Sequence, residues 1–273
     1  MQEVKMTELE ETLQTIEKVT SYEDLEMTTV FDDKGRVIRV NTKMTGGGAQ
    51  GQSQLAAMID HTLLKADATA AQIDKLCQEA LEYGFGAVCV NGYWVKRCKA
   101  NLAGSQVKIA SVVGFPLGAN ATKVKVSETK RAIKDGAVEI DMVMNVGVLK
   151  SGDLVAVARD IQSVVKEAHA RQAIVKVIIE TCLLTEEEKV TAIMLVKEAG
   201  ADFVKTSTGF STGGAALEDV VLMRSIVGPG MGIKAAGGIR TYEDAMKMVE
   251  SGANRIGASS GIQIVSEELQ REA

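Results

Sequence analysis

Lysine is almost never buried alone, because an unpaired ammonium ion is costly to remove from water. Three lysines nevertheless fall inside runs that otherwise read mostly Val, Ile, Ala and Gly: Lys176 in IVKVIIE (174–180), Lys205 in DFVKTST (202–208) and Lys234 in GIKAAGG (232–238). Asp141 sits in VEIDMVM (138–144), with Glu139 two residues before it and so on the same side of a strand. Asp60 sits in MIDHTLL (58–64). Each lysine could simply pair with a carboxylate on a neighbouring strand. Three on three successive strands, preceded by an aspartate, point to more than pairing. Two ammonium groups about 4 Å apart, at an effective dielectric of about 20, repel by about 4 kcal/mol. That is about three pKa units, which takes a lysine from about 10.4 toward about 7.4. Such an amine is a usable nucleophile at neutral pH and can form a Schiff base with an aldehyde or ketone.

These residues need a scaffold that aims them at one place, and the chain contains a degenerate repeat that supplies one. A helix-like stretch ends in Gly and an apolar strand follows at once, in EYGFGAVCV (82–90), KDGAVEIDMV (134–143), EAGADFVKT (198–206) and ESGANRIGA (250–258). With MIDHTLL, KIASVV (108–113), IVKVIIE and GIKAAGG this gives eight strands. Amphipathic stretches near 69–82, 92–103, 120–134, 152–169, 186–199, 215–227, 241–251 and 260–270 give eight helices. Thr185 with Glu188 fits a capping box. Alternating strands and helices imply a parallel sheet, and eight units in this length fit the α/β class as a closed (β/α)8 TIM barrel. An open doubly wound sheet is the alternative, but no G-x-G-x-x-G opens a helix after the first strand.

A second cluster lies on the last two strands. Gly237 and Gly238 end strand seven; Gly257, Ala258, Ser259 and Ser260 end strand eight, where the last helix begins. Small residues let backbone amides approach a ligand, and a helix start adds positive potential. Barrels often bind phosphate with the loops after these two strands.

Composition narrows the function classes. The chain has 273 residues, 46% hydrophobic and 25% charged, with ample apolar material for a core. Its net charge of −5 shows no basic face for nucleic acid. No apolar run is long enough to span a membrane, and the N-terminus lacks a signal core. The four cysteines (Cys77, Cys89, Cys98, Cys182) form no C-x-x-C and read as reduced thiols of a cytoplasmic protein. Two histidines, His61 and His169, make a His-rich metal site an unsuitable reading, so neither metal nor cofactor is expected.

Three parts are expected along the chain. Residues 45–54 (TGGGAQGQSQ) read as a flexible linker. Before it, residues 1–44 form a small acidic segment with 6 Lys+Arg against 10 Asp+Glu. There Met6, Leu9, Leu13 and Ile16 have helical spacing, and 27–31 and 36–40 form a hairpin about Asp32-Asp33-Lys34-Gly35. This segment is either an oligomerisation or docking module or an appended fusion. Residues 55–273 form the barrel domain.

The motifs ADFVKTSTGFSTGG (201–214), GIKAAGGIR (232–240), VEIDMVMN (138–145), SVVGFPLGAN (111–120) and IVKVIIETCLL (174–184) together resemble the deoxyribose-phosphate aldolase family, from about Gln54 to Val265. The resemblance implies a metal-free class I aldolase that reversibly cleaves 2-deoxy-D-ribose 5-phosphate to D-glyceraldehyde 3-phosphate and acetaldehyde in deoxyribonucleoside catabolism. It makes Lys205 the Schiff-base lysine, Lys234 the lysine that lowers its pKa and Asp141 the carboxylate of a proton relay. Asp60, Cys89 and Lys176 match polar positions of the pocket. Gly209, Gly238, Gly257, Ser259 and Ser260 match a phosphate site, to which the glycine pair adds Gly237. Phe210 stands where some members carry a basic residue, so phosphate would rest on amides and serine hydroxyls. The family also implies a dimer or tetramer. Another Schiff-base phosphosugar enzyme, or a barrel that serves as a scaffold, is the alternative.

Overall fold

The computed structural model describes residues 16–22, 25–31, 37–44, 53 and 55–272. Three strands come first: β1 (Ile16–Tyr22), β2 (Leu25–Phe31) and β3 (Val37–Met44), an antiparallel meander in the order β1-β2-β3. The expected hairpin is the β2–β3 pair, although its turn at 32–35 lies outside the described residues. The expected helix over Met6, Leu9 and Leu13 also lies outside them. Ile16, its fourth apolar position, instead begins β1, where it pairs with Phe31. A spacing of 3, 4 and 3 cannot exclude a strand at its last residue when a β-branched run, IEKVTSY, follows.

The remaining strands close a parallel barrel in the order β10-β11-β4-β5-β6-β7-β8-β9. They are β4 (Ile59–Leu63), β5 (Ala87–Val90), β6 (Lys108–Val113), β7 (Glu139–Val143), β8 (Ile174–Ile178), β9 (Phe203–Lys205), β10 (Gly232–Ala236) and β11 (Arg255–Ala258). Around them lie α1 (Ala70–Tyr83), α2 (Val95–Asn101), α3 (Thr122–Asp135), α4 (Val146–Lys150), α5 (Leu154–His169), α6 (Glu186–Glu198), α7 (Leu217–Val227), α8 (Tyr242–Glu250) and α9 (Gly261–Glu272). The closed barrel with its ring of helices is a TIM barrel. The short α4, capped by Asn145, was not legible as a separate helix.

Local chemistry sets where these elements begin. Thr69, Thr185 and Thr241 each form a full capping box, with Gln72, Glu188 and Asp244. The strands carry apolar residues on both faces because the helices cover one face and the barrel interior the other; β5, β7, β10 and β11 are buried throughout. Before β4, Ser53 Oγ donates to Glu268 of α9, which ties the start of the barrel to its end.

Candidate active site

Register carries the charged residues into the barrel interior. Residues paired across a parallel ladder point to the same face. Lys205 pairs with Lys234 and with Ile178, Lys234 with Arg255, Asp60 with Gly257, Asp141 with Lys176 and Val112, and Glu139 with Ala110. One continuous inward face therefore holds Asp60, Glu139, Asp141, Lys176, Lys205, Lys234 and Arg255.

Their side chains form one ion network. Asp141 Oδ2 accepts from Lys205 Nζ at 2.8 Å and from Lys234 Nζ at 2.7 Å, while its Oδ1 accepts from Lys176 Nζ at 2.9 Å. Lys234 also donates to Asp60, and Lys176 to Glu139. Arg255 donates to Asp60 Oδ1 at 2.5 Å and to both oxygens of Glu139 at 3.0 Å. All seven are buried. Three carboxylates thus meet four cationic side chains, and the cluster is neutral only when one cation gives up its proton.

The surroundings select which one. Burial, above all, pushes Lys205 below the ordinary lysine value; Asp141 pulls it up, and the Lys234 ammonium adds to the lowering. For Lys234, burial acts downward but Asp141 and Asp60 outweigh it and hold the group above the ordinary value. Lys176 is likewise raised by Asp141, Asp60 and Glu139 against its burial, and Arg255 by Asp60 and Glu139. Asp141 and Asp60 are held well below the carboxylate range by these cations, although burial opposes it. Repulsion between the lysines alone was expected to make the nucleophile. Instead burial is the largest cause, and Lys234 is a lesser one because it is itself neutralised by two carboxylates.

Lys205 is the member of this cluster that opens onto a cavity of about 300 Å³. The cavity is also lined by Thr208, Gly209 and Phe210 after β9, by Gly237, Gly238 and Arg240 after β10, by Gly257 and Ser259 at the end of β11, and by Lys65 after β4. Gly237 and Gly238 have φ of +93° and +84°, and a Cβ on Gly237 would meet Gly214 Cα at 3.0 Å. A glycine pair is what this turn requires.

Most expected positions converge here, at two depths. Lys205, Gly209, Gly237, Gly238, Gly257 and Ser259 line the cavity; Asp60, Asp141, Lys176 and Lys234 lie beneath it in the ion network. Ser260 does not line it, and its carbonyl accepts from Ile264 N at the start of α9. Cys89 Sγ stands 4.0 Å from Asp141 Oδ2, and burial raises its thiol, so it rests as an inert protonated group. Gly257 has a further role. A Cβ there would meet Ala236 Cβ at 2.9 Å and Lys234 Cε at 3.0 Å, so its bareness gives the Lys234 side chain its passage.

Sequence reasoning missed three features. Arg255 lies in NRIGA and obeyed the same signal as the lysines, a charge inside an apolar strand, but was not read. Lys65 and Arg240, both exposed, add cationic side chains to a cavity expected to rely on amides and hydroxyls. Nothing in their local sequence set them apart from other loop charges.

A parallel barrel that buries an amine with a lowered pKa beneath the C-terminal ends of its strands defines a barrel enzyme equipped for amine–carbonyl chemistry. Residues 54–267 match the model of the DeoC/LacD family aldolases, and the chain belongs to that family. It is 64% identical over 213 residues to the deoxyribose-phosphate aldolase of Thermococcus gammatolerans, spanning 77% of this chain and 95% of that protein. To the Brevibacillus brevis deoxyribose-phosphate aldolase it is 62% identical over 208 residues, spanning 76% and 93%. Among solved structures, the tetrameric deoxyribose phosphate aldolase from Aeropyrum pernix superposes with a TM-score of 0.74 at 37% identity, covering 78% of this chain and 90% of that one.

Proposed function

We propose that the chain catalyses the reversible cleavage of 2-deoxy-D-ribose 5-phosphate to D-glyceraldehyde 3-phosphate and acetaldehyde through a Schiff base on Lys205. The observation that carries this reading is the surplus cation. Lys205 is the member of a four-cation, three-carboxylate cluster whose proton is least favoured, and the member that lines the cavity.

The chemistry follows from the free-amine form of Lys205, which the lowered pKa makes more accessible. Lys205 Nζ attacks the C1 aldehyde, and loss of water leaves an iminium ion. Acetaldehyde takes C1 and C2, so the bond that breaks is C2–C3. Its electron pair moves toward the iminium nitrogen, the C3 hydroxyl loses its proton, and glyceraldehyde 3-phosphate departs. The enamine on Lys205 is then protonated at C2, and water hydrolyses the new iminium to release acetaldehyde and the amine. Asp141 and Lys234 rest as carboxylate and ammonium, one oxygen joining both lysines, so with an intervening water one can accept a proton while the other returns it. The iminium restores the fourth positive charge to the cluster, and cleavage, which neutralises that charge in the enamine, returns the cluster to balance.

We assign the phosphate to the glycine-lined end of the cavity. Gly209, Gly237, Gly238 and Ser259 present small residues there, at the start of α9, and Lys65 and Arg240 supply charge. Cysteines that are all free suit a cytoplasmic setting. We read residues 1–44 as an added segment ahead of the barrel, joined through 45–54, and the whole as a homo-oligomer; light scattering on the full chain and on a chain beginning at Ser53 would test both.

Reductive trapping tests the main reading. Borohydride added with acetaldehyde or the phosphosugar should leave a stable adduct on Lys205, located by peptide mass spectrometry. Folded protein with no adduct on any lysine would refute it.

A further inference from the structure

Beside the catalytic lysine lies a residue to which the mechanism gives no role. Glu180 follows β8 and adopts φ 55° and ψ 65°, left-handed backbone that is uncommon for any residue but glycine. The turn falls between two anchored neighbours: Ile179 N–H donates to the Lys205 carbonyl and Thr181 N–H to the Thr206 carbonyl, both at 3.1 Å. Glu180 is also buried, at 3% exposure. Its carboxylate accepts from Thr208 N at 3.1 Å and from Thr208 Oγ1, with Cys182 Sγ at 4.0 Å. Among the described residues no lysine or arginine forms an ion pair with it, so its hydrogen-bond donors are uncharged.

A strained backbone and a buried carboxyl group with no cationic partner among the described residues are both unfavourable, and such features persist where the surrounding structure holds them for a purpose. Their joint effect is local. Thr208 Oγ1 donates to Glu180 and in turn accepts from Phe210 N at 3.0 Å. The carboxylate therefore fixes Thr208 directly and Phe210 through it, which clamps both sides of Gly209 (φ +82°). Thr208, Gly209 and Phe210 all line the cavity, and Gly209 abuts Gly237 of the facing turn.

We propose that Glu180 is a positioning residue for the 208–210 loop, holding Gly209 in the shape that receives the substrate phosphate, and that it thereby sets the preference for phosphorylated over unphosphorylated sugar. This rests on the phosphate end of the cavity lying where the preceding section places it. A residue that served only to stabilise the barrel would affect both sugars alike.

The experiment compares 2-deoxyribose 5-phosphate with 2-deoxyribose, as kcat/KM and KM, in the wild type, Glu180→Gly and Glu180→Gln. Glycine relieves the left-handed backbone but removes the carboxylate. Glutamine keeps one acceptor oxygen of the same reach. Glu180→Gly should lower the phosphate preference by about tenfold, the size of one lost hydrogen-bonded anchor, mainly through KM. Glu180→Gln should lower it by about threefold, and supplies the test if the glycine variant does not fold. A preference unchanged in both variants, whatever happens to stability, overturns the role of Glu180 alone. A wild type with no preference for the phosphorylated sugar overturns the phosphate reading and this proposal with it.

Discussion

Lys205 and Lys234 donate to the same oxygen, Oδ2 of Asp141, at 2.8 and 2.7 Å. A single carboxylate oxygen thus faces two ammonium-bearing side chains, yet their equilibria are driven apart. Lys234 has a second carboxylate, Asp60, and is raised; Lys205 has none and is lowered, by burial first. Pairs of titratable groups whose environments separate their pKa values carry the acid and base assignments of a site. In the mechanism we propose, the raised member serves as proton donor and the lowered one as nucleophile.

Lys205→Ala loses the nucleophile of that mechanism and should reduce turnover by about a thousandfold or more. Steady-state assay of aldehyde release checks it. The same variant should give no borohydride-trapped adduct at any other lysine. Normal turnover by Lys205→Ala would refute the Schiff-base assignment.

Replacing Lys234 changes the charge count as well as the relay. With Lys234→Leu, three carboxylates face Lys176, Arg255 and Lys205, and neutrality now requires Lys205 to keep its proton. The amine is reactive only above its pKa, so raising that pKa moves the acid limb of trapping toward higher pH. Turnover at neutral pH should fall by about a hundredfold or more. Trapping on Lys205, which does not need the relay, should recover as pH rises. An acid limb left in place would show that Lys234 does not contribute to the lowered state.

Arg255 supports the same count from the far side of the cluster, where among the described carboxylates it touches Asp60 and Glu139. Arg255→Met removes a permanent cation and again leaves Lys205 as the compensating charge, so the acid limb should shift in the same direction as for Lys234→Leu. Stability should also fall, by about 3–5 kcal/mol, because two buried carboxylates lose a partner. Arg255→Lys should restore part of both. Denaturant titration reads the second effect and the pH profile of trapping the first. Lost stability with an unmoved profile would make Arg255 structural only.

The barrel was legible because its signal is redundant. Each strand is a short apolar run, each helix amphipathic, and a glycine marks the join, so an uncertain boundary at one unit is corrected by its neighbours. Lys176, Lys205, Lys234 and Asp141 stood out for a related reason, as charges where the pattern demands apolar residues. Two kinds of information were less accessible. Strand β1 has no repeat to reinforce it, and Ile16 fitted the end of a helical pattern equally well. The electrostatic order within the cluster depends on which lysine has a second carboxylate, and that follows from the barrel's geometry: Lys234 pairs with Arg255 but reaches Asp60 past the bare Gly257, the register partner of Asp60. Spacing along the chain does not encode it.

Gly257 gives the sharpest separation of two roles. Its sequence context, GASS at the end of a late barrel strand, assigns it to the phosphate end. Its surroundings place it under Lys234, where a Cβ would lie 3.0 Å from Lys234 Cε and 2.9 Å from Ala236 Cβ. Gly257→Ala should therefore displace the Lys234 side chain from Asp60 and Asp141. A displacement of part of an ångström at a proton-transferring group costs about tenfold in kcat. The KM for the phosphosugar should change by less, since Gly238, Ser259 and Arg240 are untouched. Trapping should still occur on Lys205, with its acid limb moved toward that of Lys234→Leu. A rise in KM at constant kcat, with an unmoved limb, would instead show that Gly257 acts at the phosphate end alone.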